Sequence, residues 1–221
     1  MNTIGLLNSI VAWNPEIEFF SFHQFSYSRL IQDEISNWGK KEDAMFNKAI
    51  CLKKEYHLPF WCGIMLSSFD NKDYSEQILV SALRHNPINR LSHIKPKDIS
   101  DGIDSSSALC SKVILKDGSE KHIPMIDFHI PPSSNNLSVV KTVCKLLDLH
   151  PGWVLNSGES YHFIGRQIVS WDEIYHLLSK SLVFNPIVDI VWVSHQLREN
   201  SCSLRVGEKN GRAPVVECVI E

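Results

Sequence analysis

The spacing of apolar and polar positions changes near the middle of the chain. In the first third it is helical. Residues 21–38 and 42–56 carry apolar side chains along one face, as at Ala44, Phe46, Ile50 and Leu52, and predict two helices. Residues 58–66, with Phe60, Trp61, Ile64 and Met65, are few, aromatic-rich and bounded by Pro59 and Ser67-Ser68, which predicts a buried strand. A third helix is expected over 74–84, and 86–107 reads mostly as loop.

The second half alternates instead. Residues 113–115 and 122–130 are strand-like and flank Lys116-Asp117-Gly118-Ser119, where Asp-Gly supplies the positive φ that a tight hairpin needs. An amphipathic helix follows over 136–149 and is broken by Pro151-Gly152; strands at 153–155 and 161–164 then flank Asn156-Ser157-Gly158-Glu159. Ser170, three positions before Glu173, has the spacing of a capping box. Asn185-Pro186 predicts the start of another helix, with Asn as cap and Pro in the first turn. Strands at 203–206 and 215–220, joined by Lys209-Asn210-Gly211-Arg212, read as a last hairpin. The order predicts an α+β fold in one domain, residues 1–221. A mainly helical part (1–110) precedes a palm-like or RRM-like core (111–221), an antiparallel-rich sheet with helices on one side.

Composition narrows the function classes. With 43% hydrophobic and 21% charged residues the chain has the make-up of a folded globular protein, large enough to bury a core without disulfides or structural metal. A formal net charge of −3 gives no global attraction for a polyanion, though 22 Lys and Arg are enough to line a local groove. The six cysteines lack the paired spacing of a zinc knuckle and read as buried reduced thiols. Residues 1–13 are apolar but have neither a basic leader region nor a cleavage site, and no apolar run is long enough to span a bilayer. A cytoplasmic protein with no membrane partner is expected.

Three segments carry candidate chemistry. In Ile126-Asp127-Phe128-His129, period-two geometry predicts Asp127 and His129 on one face of an apolar strand. Such a pair is costly there unless the two groups are solvated, bonded to each other or bound to a cation, and an Asp–His hydrogen bond at a sheet edge is the plain alternative. In Ser157-Gly158-Glu159-Ser160-Tyr161-His162, a Ser-Gly turn entering a strand predicts exposed N–H groups, a hydroxyl and an imidazole suited to an anion. In the third, Asp189 precedes an apolar helix and Leu204-Arg205 closes a strand. A carboxylate at a helix start is often only a partner of the helix dipole, while an Arg there offers a fork of donors to phosphate.

Taken in order, Asp127-Phe128-His129, then Ser160-Tyr161-His162, then Asp189-Ile190-Val191-Trp192 with His195-Gln196-Leu197, then Leu204-Arg205, these segments resemble the motifs of archaeo-eukaryotic primases and primase-polymerases over residues 113–220. The resemblance extends to primase-like proteins of plasmids, phages and bacterial conflict systems. It implies that Asp127 and Asp189 are catalytic, that Asp127, His129 and Asp189 hold magnesium or manganese, and that Ser160, His162 and Arg205 bind nucleotide. The departure is His129, where the family has a second carboxylate. A neutral imidazole removes a charge and a hard oxygen ligand, which suits manganese better than magnesium.

Three functions follow from this. One is a non-catalytic module binding a nucleoside triphosphate or single-stranded nucleic acid in a larger defence or replication complex, including anti-phage defence. The second is an active metal-dependent DNA primase/polymerase, a nucleotidyltransferase with a D-x-H metal site. The third is kinship to replication-initiator nucleases, echoed by Asp127-Phe128-His129 with Tyr175. The missing carboxylate and the lack of net positive charge favour the module.

Overall fold

A computed structural model describes residues 1–24, 90–99, 107–149, 151–208 and 211–221, with further helical residues at 47–48, 50–52, 54–56 and 66. The chain divides into two compact units, Met1–Phe25 with Arg90–Glu221, and Ser26–Asn89. In the second unit the described residues between 47 and 56 are helical, in keeping with the helix read over 42–56. Leu66 is also helical, where the pattern of 58–66 predicts strand, and the helix read over 74–84 lies outside the described residues.

The first unit opens with helix α1 (Thr3–Trp13), capped by the Asn2 side chain accepting from the Gly5 N–H, which buries Leu6, Leu7 and Ile10. Strand β1 (Ile17–Gln24) follows, so residues 21–24 are strand where helical spacing predicts helix. Tertiary pairing overrides propensity here: β1 is laddered on one side to β2 (Arg90–Ile94) and on the other to β3 (Ser107–Leu115), and Phe20 and Phe22 are fully buried. β2 likewise lies within the stretch that reads as loop.

β3 is almost continuously buried because it also pairs with β4 (Glu120–His122) and β8 (Ser203–Arg205), giving a five-stranded antiparallel sheet. A second antiparallel sheet runs β5 (Met125–Phe128), β7 (Tyr161–Gly165), β6 (Gly152–Asn156), β9 (Val215–Ile220). The fold is therefore α+β with antiparallel sheets, but strand membership corrects two local readings. The strand read over 122–130 is two strands in different sheets. Ile123 N–H still donates to Ser111 of β3, whereas the Pro124 carbonyl accepts from Gly165 of β7, and Pro124 has no N–H with which to continue the first ladder. The last two strands are no hairpin either, since β8 joins β3 and β9 joins β6.

The expected turns and caps are present elsewhere. Gly118 sits at φ 82° in the β3–β4 turn, and Gly158 at φ 94° between β6 and β7. Helix α2 (Ser134–Leu146) is capped by Ser133, and α3 (Trp171–Ser181) has the full Ser170–Glu173 capping box. Helix α4 (Ile190–Glu199) begins later than Asn185-Pro186 predicts; its cap is Asp189, whose Oδ1 accepts from the N–H groups of Val191 and Trp192 at 2.9 Å each. Of the described thiols, Cys110, Cys144 and Cys202 are buried as expected, whereas Cys218 is half-buried and Cys51 is exposed.

Ser111 links three parts of the larger sheet. Its buried Oγ shares a hydrogen bond with His122 Nδ1 at 3.0 Å and accepts from the Cys202 N–H at 2.8 Å. Burial, with the Lys112 charge adding to it, lowers the His122 pKa to about 4. Because the folded value lies below the unfolded one, this contribution to stability is complete above the unfolded value near 6.5 and is lost as pH falls towards about 4. The unfolding midpoint of the wild type is expected to fall more steeply between these pH values than that of His122→Gln. Parallel slopes in thermal melts would remove His122 as the cause.

Candidate functional site

β5 and β7 set Asp127 directly opposite His162. Residues two apart on a strand share a face, so Asp127 and Met125, His162 and Ile164, and Leu155 and Trp153 of β6 all project from one side of the smaller sheet. His162 Nε2 lies 3.5 Å from Asp127 Oδ1, too long for a good hydrogen bond. Both Asp127 Oδ1 and His162 Nδ1 are buried without a hydrogen-bond partner.

Asp189 comes to the same place by a different route. Its N–H donates to the Asp127 carbonyl at 3.0 Å beside a Phe128–Val188 bridge, which brings the two backbones together. Burial pushes the Asp127 carboxyl well above the usual carboxylate range; the Asp189 charge adds to this and the Arg205 charge opposes it. Burial, reinforced by Arg205, holds His162 down at about 3. Both groups of the pair are driven towards their neutral forms.

His129 is not on the strand. It follows the end of β5, its N–H donates to the Ile187 carbonyl, and its side chain, 72% exposed, reaches Asp189 Oδ2 at 3.4 Å. The structure thus pairs Asp127 with His162 and His129 with Asp189, which period-two geometry along one strand does not anticipate. Tyr175 lies on the outer face of α3, half exposed.

Arg205 reaches this face from the other sheet. Its guanidinium donates to three carbonyls, Ser157 at 2.6 Å, Gly207 at 2.7 Å and Arg212 at 3.1 Å, and so clamps the Ser157-Gly158 turn to the segment following β8. The turn differs from the open cradle read in the sequence. Ser157 and Ser160 N–H groups are bonded within it, and Gly158 N–H donates to Asn156 Oδ1. Ser160 is half-buried, its Oγ 3.1 Å from Ser157 Oγ.

Arg212 escaped the sequence reading. Its side chain lies against Gly158, where a β-carbon would stand 3.5 Å from Arg212 Cδ, and no described residue forms an ion pair with it. Position in a turn nine residues before the end carries no signal for this; only the packing of β9 beside β6 shows it.

Among the described residues, no three His, Cys, Asp or Glu side chains gather to hold a metal ion. Asp189 Oδ1 is occupied as a helix cap, His129 stands out in solvent and Asp127 is driven towards the neutral acid. The set offers two carboxylates and one imidazole, one hard oxygen ligand fewer than three carboxylates would supply.

A family model, AEP-like: Archaeo-eukaryotic primase 1D-like, matches residues 100–217. The chain belongs to this primase family. No curated protein and no solved structure matches it. The matched region of the primase-like chain spans β3 to the first half of β9, and so holds Asp127, His129, Ser160, His162, Asp189 and Arg205. No described helix of the primase-like chain is long and apolar enough to cross a membrane.

Proposed function

We propose that this primase-like protein binds a nucleoside triphosphate or single-stranded nucleic acid at the Asp127–His162–Arg205 face without transferring nucleotides. The observation that carries the reading is the pair of buried, unpartnered polar atoms, Asp127 Oδ1 and His162 Nδ1, beside the Arg205 charge. Buried polar atoms without partners are costly and mark a place where a ligand or water completes the network. A phosphate oxygen accepts from His162 and is attracted by Arg205 and Arg212, and a neutral Asp127 does not repel it. Ser160 adds a hydroxyl at the turn. A place in a larger defence or replication complex belongs to the same proposal and rests on the resemblance of the motifs.

The test is calorimetry with a nucleoside triphosphate, together with nucleotide incorporation on primed and unprimed single-stranded templates. Binding should persist in the presence of a chelator. His162→Ala should weaken it about tenfold or more, the loss of one charge-assisted contact. Asp127→Asn should leave it within about threefold, since the carboxamide copies the neutral acid. Neither magnesium nor manganese should support synthesis. Cation-dependent synthesis by the wild type that Asp127→Asn abolishes would replace this reading with the active nucleotidyltransferase.

A further inference from the structure

Trp13 ends α1 with 56% of its surface exposed, although the helix buries Leu6, Leu7 and Ile10. Its indole is held against a cation, Arg166 Cζ lying 4.8 Å from the Trp13 ring centroid and 5.1 Å from that of Trp153. The geometry is anchored by backbone. Asn14, next to Trp13 and 5% exposed, donates to the Arg166 carbonyl at 2.8 Å and accepts from Ile168 N–H at 3.3 Å, while Arg166 N–H donates to the Pro151 carbonyl at 2.9 Å.

The Arg166 charge has no counterpart among the described residues. Among the described residues no carboxylate lies within ion-pair distance and no acceptor meets its guanidinium, and its Nε is buried without a partner. Packing explains why Trp153, 3% exposed, covers the guanidinium from within. It does not explain a second, exposed indole fixed beside an uncompensated cation.

We propose that Trp13 and Arg166 form a shelf for single-stranded nucleic acid, with a base stacked on the open indole surface and the adjacent phosphate taken by the guanidinium. Aromatic stacking accepts any base, and a planar cation already held by two rings loses little freedom on meeting a phosphate. Trp153 and His162 project from the same face of the smaller sheet, with Leu155, the partner of His162, two residues along β6 from Trp153. The inference rests on the nucleic-acid arm of the proposed function but uses none of its residues.

The experiment is fluorescence anisotropy with a labelled oligothymidylate over a salt series, with triphosphate calorimetry and thermal melts on the same proteins. Trp13→Ala should weaken oligonucleotide binding about tenfold, and Trp13→Phe should stay within about threefold. Arg166→Gln should weaken it and reduce the slope of log affinity against log salt by about one. Triphosphate affinity should be unchanged in all three. Loss of oligonucleotide binding with that pattern supports the shelf even if the wild type binds no triphosphate, which would defeat only the His162 site. Unchanged oligonucleotide affinity in Trp13→Ala, or a wild type that binds none, overturns the shelf. So does equal weakening by Ala and Phe with a lowered melting point, which would make the stack structural.

Discussion

Arg205→Ala is expected to lose roughly 3 kcal/mol of stability, more than any other single change at the candidate site. The guanidinium donates to the carbonyls of Ser157, Gly207 and Arg212, from the turn of one sheet to the strand end of the other. Charge-assisted hydrogen bonds contribute about 1.5–3 kcal/mol each, and three on one side chain are not additive, so the total is nearer to one and a half such bonds than to three. Arg205→Lys should recover less than half, because a compact ammonium lacks the rigid fork that spans these acceptors. The same variants should weaken triphosphate binding about tenfold or more, through loss of the charge beside His162 and of the held Ser157-Gly158 turn. Chemical denaturation separates the two effects. A stability of Arg205→Ala within about 0.5 kcal/mol of wild type would mean that the clamp seen in the structure contributes nothing.

The second large effect is expected at the start of β6. Gly152 begins β6, where a β-carbon would stand 2.4 Å from Phe163 Cζ and 2.7 Å from the Ile164 carbonyl oxygen. The Phe ring can turn, but the carbonyl belongs to the β7 ladder and cannot move without parting the sheet. Gly152→Ala should therefore cost about 3 kcal/mol or more and lower the melting point by roughly 10 °C. Gly118→Ala makes the contrasting case, since its φ is 82° and nothing lies within 4 Å of an added β-carbon. It should cost only about 1 kcal/mol, from backbone conformation alone. Equal losses in the two variants would show that close packing at Gly152 is not the constraint.

Several parts of this protein are legible in the sequence because they are encoded within three or four residues. Asp117-Gly118 and Ser157-Gly158 specify their turns through one positive φ each, and Ser170 with Glu173 specifies a helix start through two reciprocal hydrogen bonds. The order of the Asp127, Ser160–His162, Asp189 and Leu204-Arg205 segments identifies the family, because order along the chain survives whatever the packing does. Strand partnership is different. Pro124 marks locally that one ladder stops, but nothing local tells which sheet takes the chain next, or that β8 and β9 part company, since backbone groups pair equally well with any strand that tertiary packing brings alongside. The residues 21–24 carry a helical spacing and become strand for the same reason, with ladders on both sides of β1. At the candidate site the residue types are local but their states are not. Asp127 is driven towards neutrality by burial and by Asp189, 62 positions away, and Asp189 is a helix cap because α4 begins where it does. Trp13 meets Arg166 only because Asn14 ties α1 to the segment after β7. Turn and cap chemistry acts over a few bonds and is written in the sequence, whereas desolvation and charge coupling depend on distances that only the folded chain sets.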